Sequence, residues 1–241
     1  MAVPAKTLAR EPLYIQVCEL LTRQIARGVW KPNAALPNEL EFAKELGVSP
    51  GTIRKAMEKL EADRLVVRRQ GRGTFVIDQT GPEIVARFDR MRRDDGAPIV
   101  WRVGLLQQSS GRPTEQEQRM LLVGPDDAVA RKRRLLIASD RPFCVEETCL
   151  AVGRLTGLED TDLGDWCITR LAQRHGVHVA RASEEVRVAA ASQEVATLLS
   201  VDPGTVLVQL DRIIPSTDAQ PLEWRCAVCH LQEEYYHAEV H

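Results

Sequence analysis

The 241-residue chain has no run approaching the ~18 to 20 apolar residues of a membrane span, and Met1 to Arg10 lacks the apolar core of ~7 to 15 residues found in a secretory signal. Both absences argue against membrane insertion and export and set the expectation of a cytoplasmic protein. Without an export signal, the six cysteines (Cys18, Cys144, Cys149, Cys167, Cys226 and Cys229) read as reduced thiols and not as a disulfide framework. No nucleophile stands with an evident base and no glycine-rich phosphate loop occurs, so no enzyme class is marked. With 44 % hydrophobic and 27 % charged residues, the composition is that of a globular protein and excludes disorder, collagen and coiled coil.

Net charge is also nearly absent, at −2, but the balance is uneven. Residues 1 to 80 carry thirteen Lys/Arg against nine Asp/Glu, whereas residues 81 to 241 carry nineteen against twenty-five. A basic front on an acidic body points to a polyanionic partner for the front alone. The length suits two domains of ordinary size.

Apolar residues at helical spacing (Tyr14, Val17, Cys18, Leu21, Ile25) predict a helix over 13–27 with Gly28 as its stop. Asn38, with Glu41 three residues on, forms the signature of a capping box for a short helix that Gly47 ends. Ser49 then caps a third helix with Pro50 at its first position. That helix buries Ile53, Ala56, Met57 and Leu60 and leaves Thr52, Arg54, Lys55 and Lys59 on other faces. Two helices joined by a tight glycine turn make a helix-turn-helix.

The extended segments 65–69 and 74–77 follow, joined through Gln70, Gly71, Arg72 and Gly73, a basic hairpin that suits phosphates or the minor groove through Arg68, Arg69 and Arg72. Either unit alone can be a packing motif or a solvated edge. Adjacent, in this order and on the basic side of the charge split, they point to double-stranded DNA, with Asn38, Ser49, Gly51, Thr52, Arg54, Lys55, Arg69, Gly71, Arg72 and Gly73 as candidate contacts.

Residues 79–96, with turn residues at both ends, read as a linker containing a first short helix or edge. Beyond them, extended and helical pieces alternate: strand 99–106, helix 114–122 with Thr114 and Glu117 as a capping box, strands 128–138 and 142–152, helix 165–175, strand 177–191, helix 192–199, and a hairpin of 205–214 with 221–231. The series helix, turn, strand, turn, Pro, strand occurs at 114–152 and again at 192–231, with Pro142 and Pro221 in register. Two copies predict a pseudo-symmetric α+β domain on one antiparallel sheet, with a small-ligand cleft between the strands and overlying helices.

Cys226-Ala227-Val228-Cys229-His230 matches the C-x-x-C-H haem-attachment string, but inside a strand its two thiols point to opposite faces. A metal site from Cys226, Cys229, His230 and His237 lacks a second well-spaced pair. No cofactor and no metal are therefore expected. His175 and His178 straddle a helix end and read as capping or solvent-facing.

Residues 12 to 77 resemble the winged-helix domain of the GntR family of bacterial transcription regulators. The matching residues are Pro12-Leu13-Tyr14 with Gln16, Leu36-Pro37 with Glu39, Gly47-Val48-Ser49, Thr52-Ile53-Arg54, Leu65-Val66 and Gly71-Arg72-Gly73-Thr74-Phe75-Val76. Residues 97 to 238 resemble more diffusely the UTRA effector domain of the HutC subfamily, similar in fold to chorismate lyase, through Arg134, Pro142 with Val145-Glu146-Glu147, Gly176, Pro203-Gly204 and Pro221 with Glu223.

The resemblance implies an α+β chain: a winged helix-turn-helix over 1–78, the linker 79–96, and an effector-binding and dimerisation domain with a chorismate-lyase-like antiparallel sheet over 97–241. It implies a homodimer, a repressor released from its operator by a small molecule, and no membrane association. Thr52 and Arg54 of the recognition helix and Gly71 and Arg72 of the wing would touch DNA, and Arg134, Glu146, Glu223, Tyr235 or Tyr236 would line the effector cleft. An arginine fork suits a small organic acid. Asp165 at the start of helix 165–175 would repel an anion there, which argues against a sugar phosphate. Three alternatives remain: Arg134 and Glu146 as a mere cross-strand ion pair, an enzyme on the same fold, and an architectural DNA binder that senses nothing.

Overall fold

The computed structural model of the chain describes residues 11–81, 84, 88–155, 167–179 and 181–238. It divides into compact units spanning 1–79 and 80–241.

In the first unit the helical spacing becomes α1 (Leu13–Ala26), α2 (Glu39–Leu46) and α3 (Pro50–Ala62). Asn38 Oδ1 accepts from the N–H groups of Leu40 and Glu41 at 3.0 and 2.9 Å, and Glu41 accepts in return from Asn38 N–H at 3.1 Å. Gly47 ends α2 in the left-handed region, φ 63°, where a side chain would be strained. Ser49 caps α3 by accepting from Thr52 N–H. Leu21, Phe42, Ile53, Met57, Leu60 and Leu65 form the centre of the core, with Trp30 edge-on to Phe42 at 5.7 Å.

The antiparallel strands β1 (Val66–Arg69) and β2 (Gly73–Val76) make the wing, in register Val66↔Val76 to Arg69↔Gly73. Sequence periodicity did not reveal that residues 33–36 line its other edge, with Leu36 N–H donating to Thr74 O at 2.8 Å. Asn38→Ala removes the acceptor of both orphan helix donors. It is expected to lower the stability of this unit by about 1 kcal/mol in urea unfolding.

The second unit is built on a six-stranded antiparallel sheet of order β4-β5-β6-β9-β8-β7. Its strands are β4 (Arg102–Gly111), β5 (Val129–Ala138), β6 (Arg141–Ala151), β7 (Ser183–Ala190), β8 (Val206–Pro215) and β9 (Pro221–Cys229). Helices α4 (Glu115–Leu121) and α6 (Gln193–Leu199) precede β5 and β8 in corresponding places. Their C-caps, Leu122 and Ser200, share the left-handed conformation with φ 52° and 57°. The repeat around Pro142 and Pro221 is thus a structural one, with the two hairpins meeting where β6 pairs with β9. Helix α5 (Ile168–Arg174) packs on the opposite face of the sheet from α4, through Ile168, Leu171 and Ala172 against Ala130, Leu150 and Ile214.

Several boundaries differ from the sequence reading. The segment 79–96, read as a linker with a first short helix or edge, carries β3 (Met91–Arg93), which pairs with β10 (Glu234–Tyr236), a partner that local sequence does not reveal. The strand expected at 99–106 starts at Arg102 and runs on to Gly111, with a bulge between Leu105 and Gln107. The strand expected from residue 177 begins at Ser183, because Val177 and Val179 pack beside α5 instead. Asp165 and Trp166, with the expectations placed on them, lie outside the described residues. His178 is not solvent-facing: it is buried with neither ring nitrogen hydrogen-bonded, and desolvation pushes its pKa down to about 4.

Candidate functional site

Gly51, Thr52, Arg54 and Lys55 lie on the first two turns of α3, with Ser49 at its cap; the Ser49 and Thr52 hydroxyls are 2.9 Å apart. Asn38 is occupied as the α2 cap, so its side-chain oxygen is committed to backbone. Arg54 is 64 % exposed, and its Nε lies 3.2 Å from Glu39 Oε2. The other Glu39 oxygen binds Arg68 of β1 at 3.2 Å.

Glu39 therefore ties the recognition helix to the wing and orients Arg54, a role that sequence spacing did not mark because the three residues are far apart in the chain. Arg68, read from sequence as a phosphate contact, is instead held by Glu39 and Glu61. Arg69 lays its guanidinium over the Phe75 ring at 4.8 Å. Gly71, Arg72 and Gly73 form the exposed wing tip, where both glycines have positive φ. Among the described residues, Lys55 and Arg72 have exposed side chains with no ion-pair partner, which suits phosphate contact.

The second site is on one face of the six-stranded sheet. Strand register sets Glu184, Arg212, Arg225, Thr148 and Lys132 directly across five strands in one row. The next row holds Leu105, Arg134, Glu146, Ala227, Leu210 and Val186. Arg212 and Arg225 face each other, an unfavourable like-charge pair unless carboxylates intervene. Three do so.

Glu146, 2 % exposed, accepts from Arg134 on one oxygen and from Arg225 on the other at 2.9 Å. Glu223 accepts from Arg212 at 2.9 Å, and Glu184 from Arg225 at 3.4 Å and from the Tyr236 hydroxyl at 2.7 Å. Burial alone would raise the Glu146 carboxyl, but Arg225 and Arg134 hold it down at about 2. Burial and the bond to Glu184 push Tyr236 up to about 12, and burial raises Asp89, which also lies in the field of Arg225, Arg92 and Arg212.

Of the predicted effector residues, Arg134, Glu146, Glu223 and Tyr236 converge on this layer; Tyr235 does not, standing more than one-third exposed beside Gly96 and His237. Arg134 and Glu146 are indeed a cross-strand ion pair, yet one member of a buried network and not a surface pair. Arg212, Arg225 and Glu184 belong to the same network and were missed from sequence. Despite those bonds, Nε of Arg134, Arg212 and Arg225 and Oγ1 of Thr148 are buried without a hydrogen-bond partner among the described residues. Three of the four are donors only, so what the layer lacks is an acceptor.

Cys226 and Cys229 point to opposite faces: Cys229 sits across from Cys144 in the core, and Cys226 lines a cavity on the helical side. Among the described residues no three His, Cys, Asp or Glu side chains are grouped to hold a metal, and no helix is long and apolar enough to cross a membrane.

Residues 13–76 match the family described as bacterial regulatory proteins, gntR family, and residues 97–233 match the UTRA domain. The transcriptional repressor NagR of Bacillus subtilis is 25 % identical over 205 residues, 83 % of each chain. The histidine utilization repressor of Pseudomonas putida is 46 % identical over 70 residues, 29 % of this chain and 28 % of that one. Among solved structures, the ligand-binding domain of a GntR-family regulator from Bordetella bronchiseptica aligns with a TM-score of 0.57 at 25 % identity, covering 64 % of this chain and 98 % of that domain.

Proposed function

Since the chain belongs to the bacterial regulatory proteins that join a gntR-family DNA-binding domain to a UTRA domain, we propose that it is a homodimeric repressor released from its operator by a small organic acid. The observation that carries the effector class is the set of buried donors without acceptors in the charged layer, at Arg134, Arg212 and Arg225. Each such group costs about 1 to 3 kcal/mol when left unmade. A carboxylate supplies the acceptors, and its remaining polar groups are selected by the fixed carboxylates around it.

The reading is of a sensor and not an enzyme. The 46 % identity to a histidine utilization repressor spans too little of the chain to bring that protein's ligand with it.

A dimer is favoured by the sheet's two edges: Val103 and Leu105 on β4 and Val186 and Val188 on β7 are each at least half exposed. Edge strands with open backbone groups and bare apolar side chains favour association. One winged unit also reads too few base pairs for a specific site, and a dimer sets two readers about one helical turn, ~34 Å, apart.

Thermal-shift screening against small organic acids, amino-acid catabolites and sugars should find an acid that raises the melting temperature, releases operator DNA and is recovered unchanged. In Arg134→Ala that acid should no longer release the DNA, while operator affinity in its absence stays within about twofold. A variant that responds as the wild type does would place the pocket elsewhere. Light scattering that shows a monomer both free and on DNA would rule out the dimer.

A further inference from the structure

The sheet face opposite the charged layer carries α4 and α6, and a cavity of about 150 Å³ opens on it. At about 30 Å³ per water, it has the volume of roughly five waters, or of one small ring with a substituent. Cys149, Trp224 and Cys226 give it a soft, apolar part, and the polar Gln107 and Ser109 of β4 line it as well. On one wall Arg131 clamps Glu117 of α4 at 2.6 and 2.7 Å; Glu117 also accepts from Thr114 N–H at 2.6 Å and from the Cys149 thiol at 3.4 Å, so that pair is saturated. On another, Arg133 pairs with Glu147 at 3.0 Å and with Glu194 of α6.

The lining holds two arginines and two glutamates, with Glu194 as a third carboxylate on Arg133, and the Lys132 and Thr148 side chains lie on the other face by strand alternation. Two buried donors on the walls nevertheless have no hydrogen-bond acceptor among the described residues: Trp224 Nε1, and Arg133 Nε, which is ion-paired with Glu147 at 3.0 Å but without hydrogen-bond geometry. With both arginines already paired to carboxylates an added anion is unfavourable, the two donors call for an acceptor, and the indole and thiols suit a flat apolar body.

We infer that this cavity is a second small-molecule site, on the reverse of the sheet from the charged layer, for an uncharged planar molecule carrying a carbonyl acceptor, of the aromatic amide or lactam class. It is independent of the sensing role proposed for the charged layer. The two faces differ in what they lack: one needs an anion, the other a neutral acceptor.

Benzamide is a suitable probe, titrated into the full-length protein by calorimetry, with benzoate as its charged counterpart. Wild type should bind one benzamide per chain, and in Arg134→Gln, where the charged layer has lost an arginine, benzoate should bind more weakly than benzamide. Trp224→Phe keeps the ring and removes the donor, and should weaken benzamide about tenfold. Arg134→Gln, on the opposite face, should leave benzamide binding unchanged.

Should Trp224→Phe fail to fold, Cys226→Met, which fills the cavity without touching the indole N–H, must abolish binding. The inference is overturned if millimolar benzamide does not bind wild type, or if folded Trp224→Phe binds it as well as wild type. Undiminished binding in Cys226→Met overturns it too. Loss of binding in a folded Arg134→Gln would assign benzamide to the charged layer, overturning this site and leaving the sensing proposal intact.

Discussion

Glu146→Ala is expected to destabilise the C-terminal unit by about 3 to 5 kcal/mol, the cost of leaving buried charges without their counter-ion. Both carboxylate oxygens of Glu146 are taken, one by Arg134 and one by Arg225, and the side chain is 2 % exposed. Its removal also leaves Arg225 facing Arg212 directly across the strands, with Glu223 and Glu184 as the remaining compensation.

The depressed Glu146 pKa gives the same interaction a pH signature. Because the folded-state value, about 2, lies below the ordinary 4.5, the stabilisation is fully present above about pH 4.5 and is lost as pH falls from there through 2. The shift corresponds to roughly 3 kcal/mol, in line with the mutational figure. Urea unfolding at neutral pH and through the acid range should show wild type losing stability in that window and Glu146→Gln losing less. A Glu146→Ala variant within 1 kcal/mol of wild type would mean that the network contributes little to folding.

The parts of the fold that were legible in the sequence are those whose cause is local. Asn38 with Glu41, Thr114 with Glu117 and Ser192 mark helix starts because a cap is satisfied within three residues, and each forms in the structure. The helix-turn-helix and wing follow from apolar spacing and turn glycines that are equally local. What the sequence withheld depends on partners far along the chain. Strand β3 has the composition of a charged turn and becomes a strand only because Glu234, Tyr235 and Tyr236 pair with it. The same pairing separates Tyr236, half-buried and bonded to Glu184, from the adjacent Tyr235, which strand alternation puts on the other side.

The charged layer was only half legible for the same reason. Arg134 and Glu146 were found through family resemblance, whereas Arg212, Arg225 and Glu184 enter through the register of β7, β8 and β9, a non-local property. A local trace of them did exist. Arg212 lies at an inward position of a strand otherwise lined by Leu210 and Ile214, and buried charges of this kind signal either a network or a ligand.

Arg54→Ala should weaken specific operator binding by about 1 to 3 kcal/mol, roughly 5- to 150-fold, while protein stability changes by at most about 1 kcal/mol. The asymmetry follows from geometry: Arg54 is 64 % exposed, so its bond to Glu39 contributes little to folding, and Glu39 retains Arg68 when Arg54 is gone. On α3, one turn in from the Ser49 cap, that bond holds the guanidinium in a fixed place beside the wing, as a base-reading side chain needs.

Arg72 at the wing tip has no such tether and an exposed backbone of positive-φ glycines on either side, which suits phosphate or minor-groove contact. The salt dependence separates the two roles. Arg72→Ala, if it removes one phosphate contact, weakens operator and random DNA alike and lowers the slope of log affinity against log salt by about 0.9; Arg54→Ala narrows the gap between operator and random DNA and leaves the slope nearly unchanged. Anisotropy titrations on both DNAs at several salt concentrations read the two quantities together. Unchanged affinity of Arg54→Ala for both would mean that another side chain of α3 reads the bases, and Lys55, exposed and without an ion-pair partner among the described residues, is the next to test.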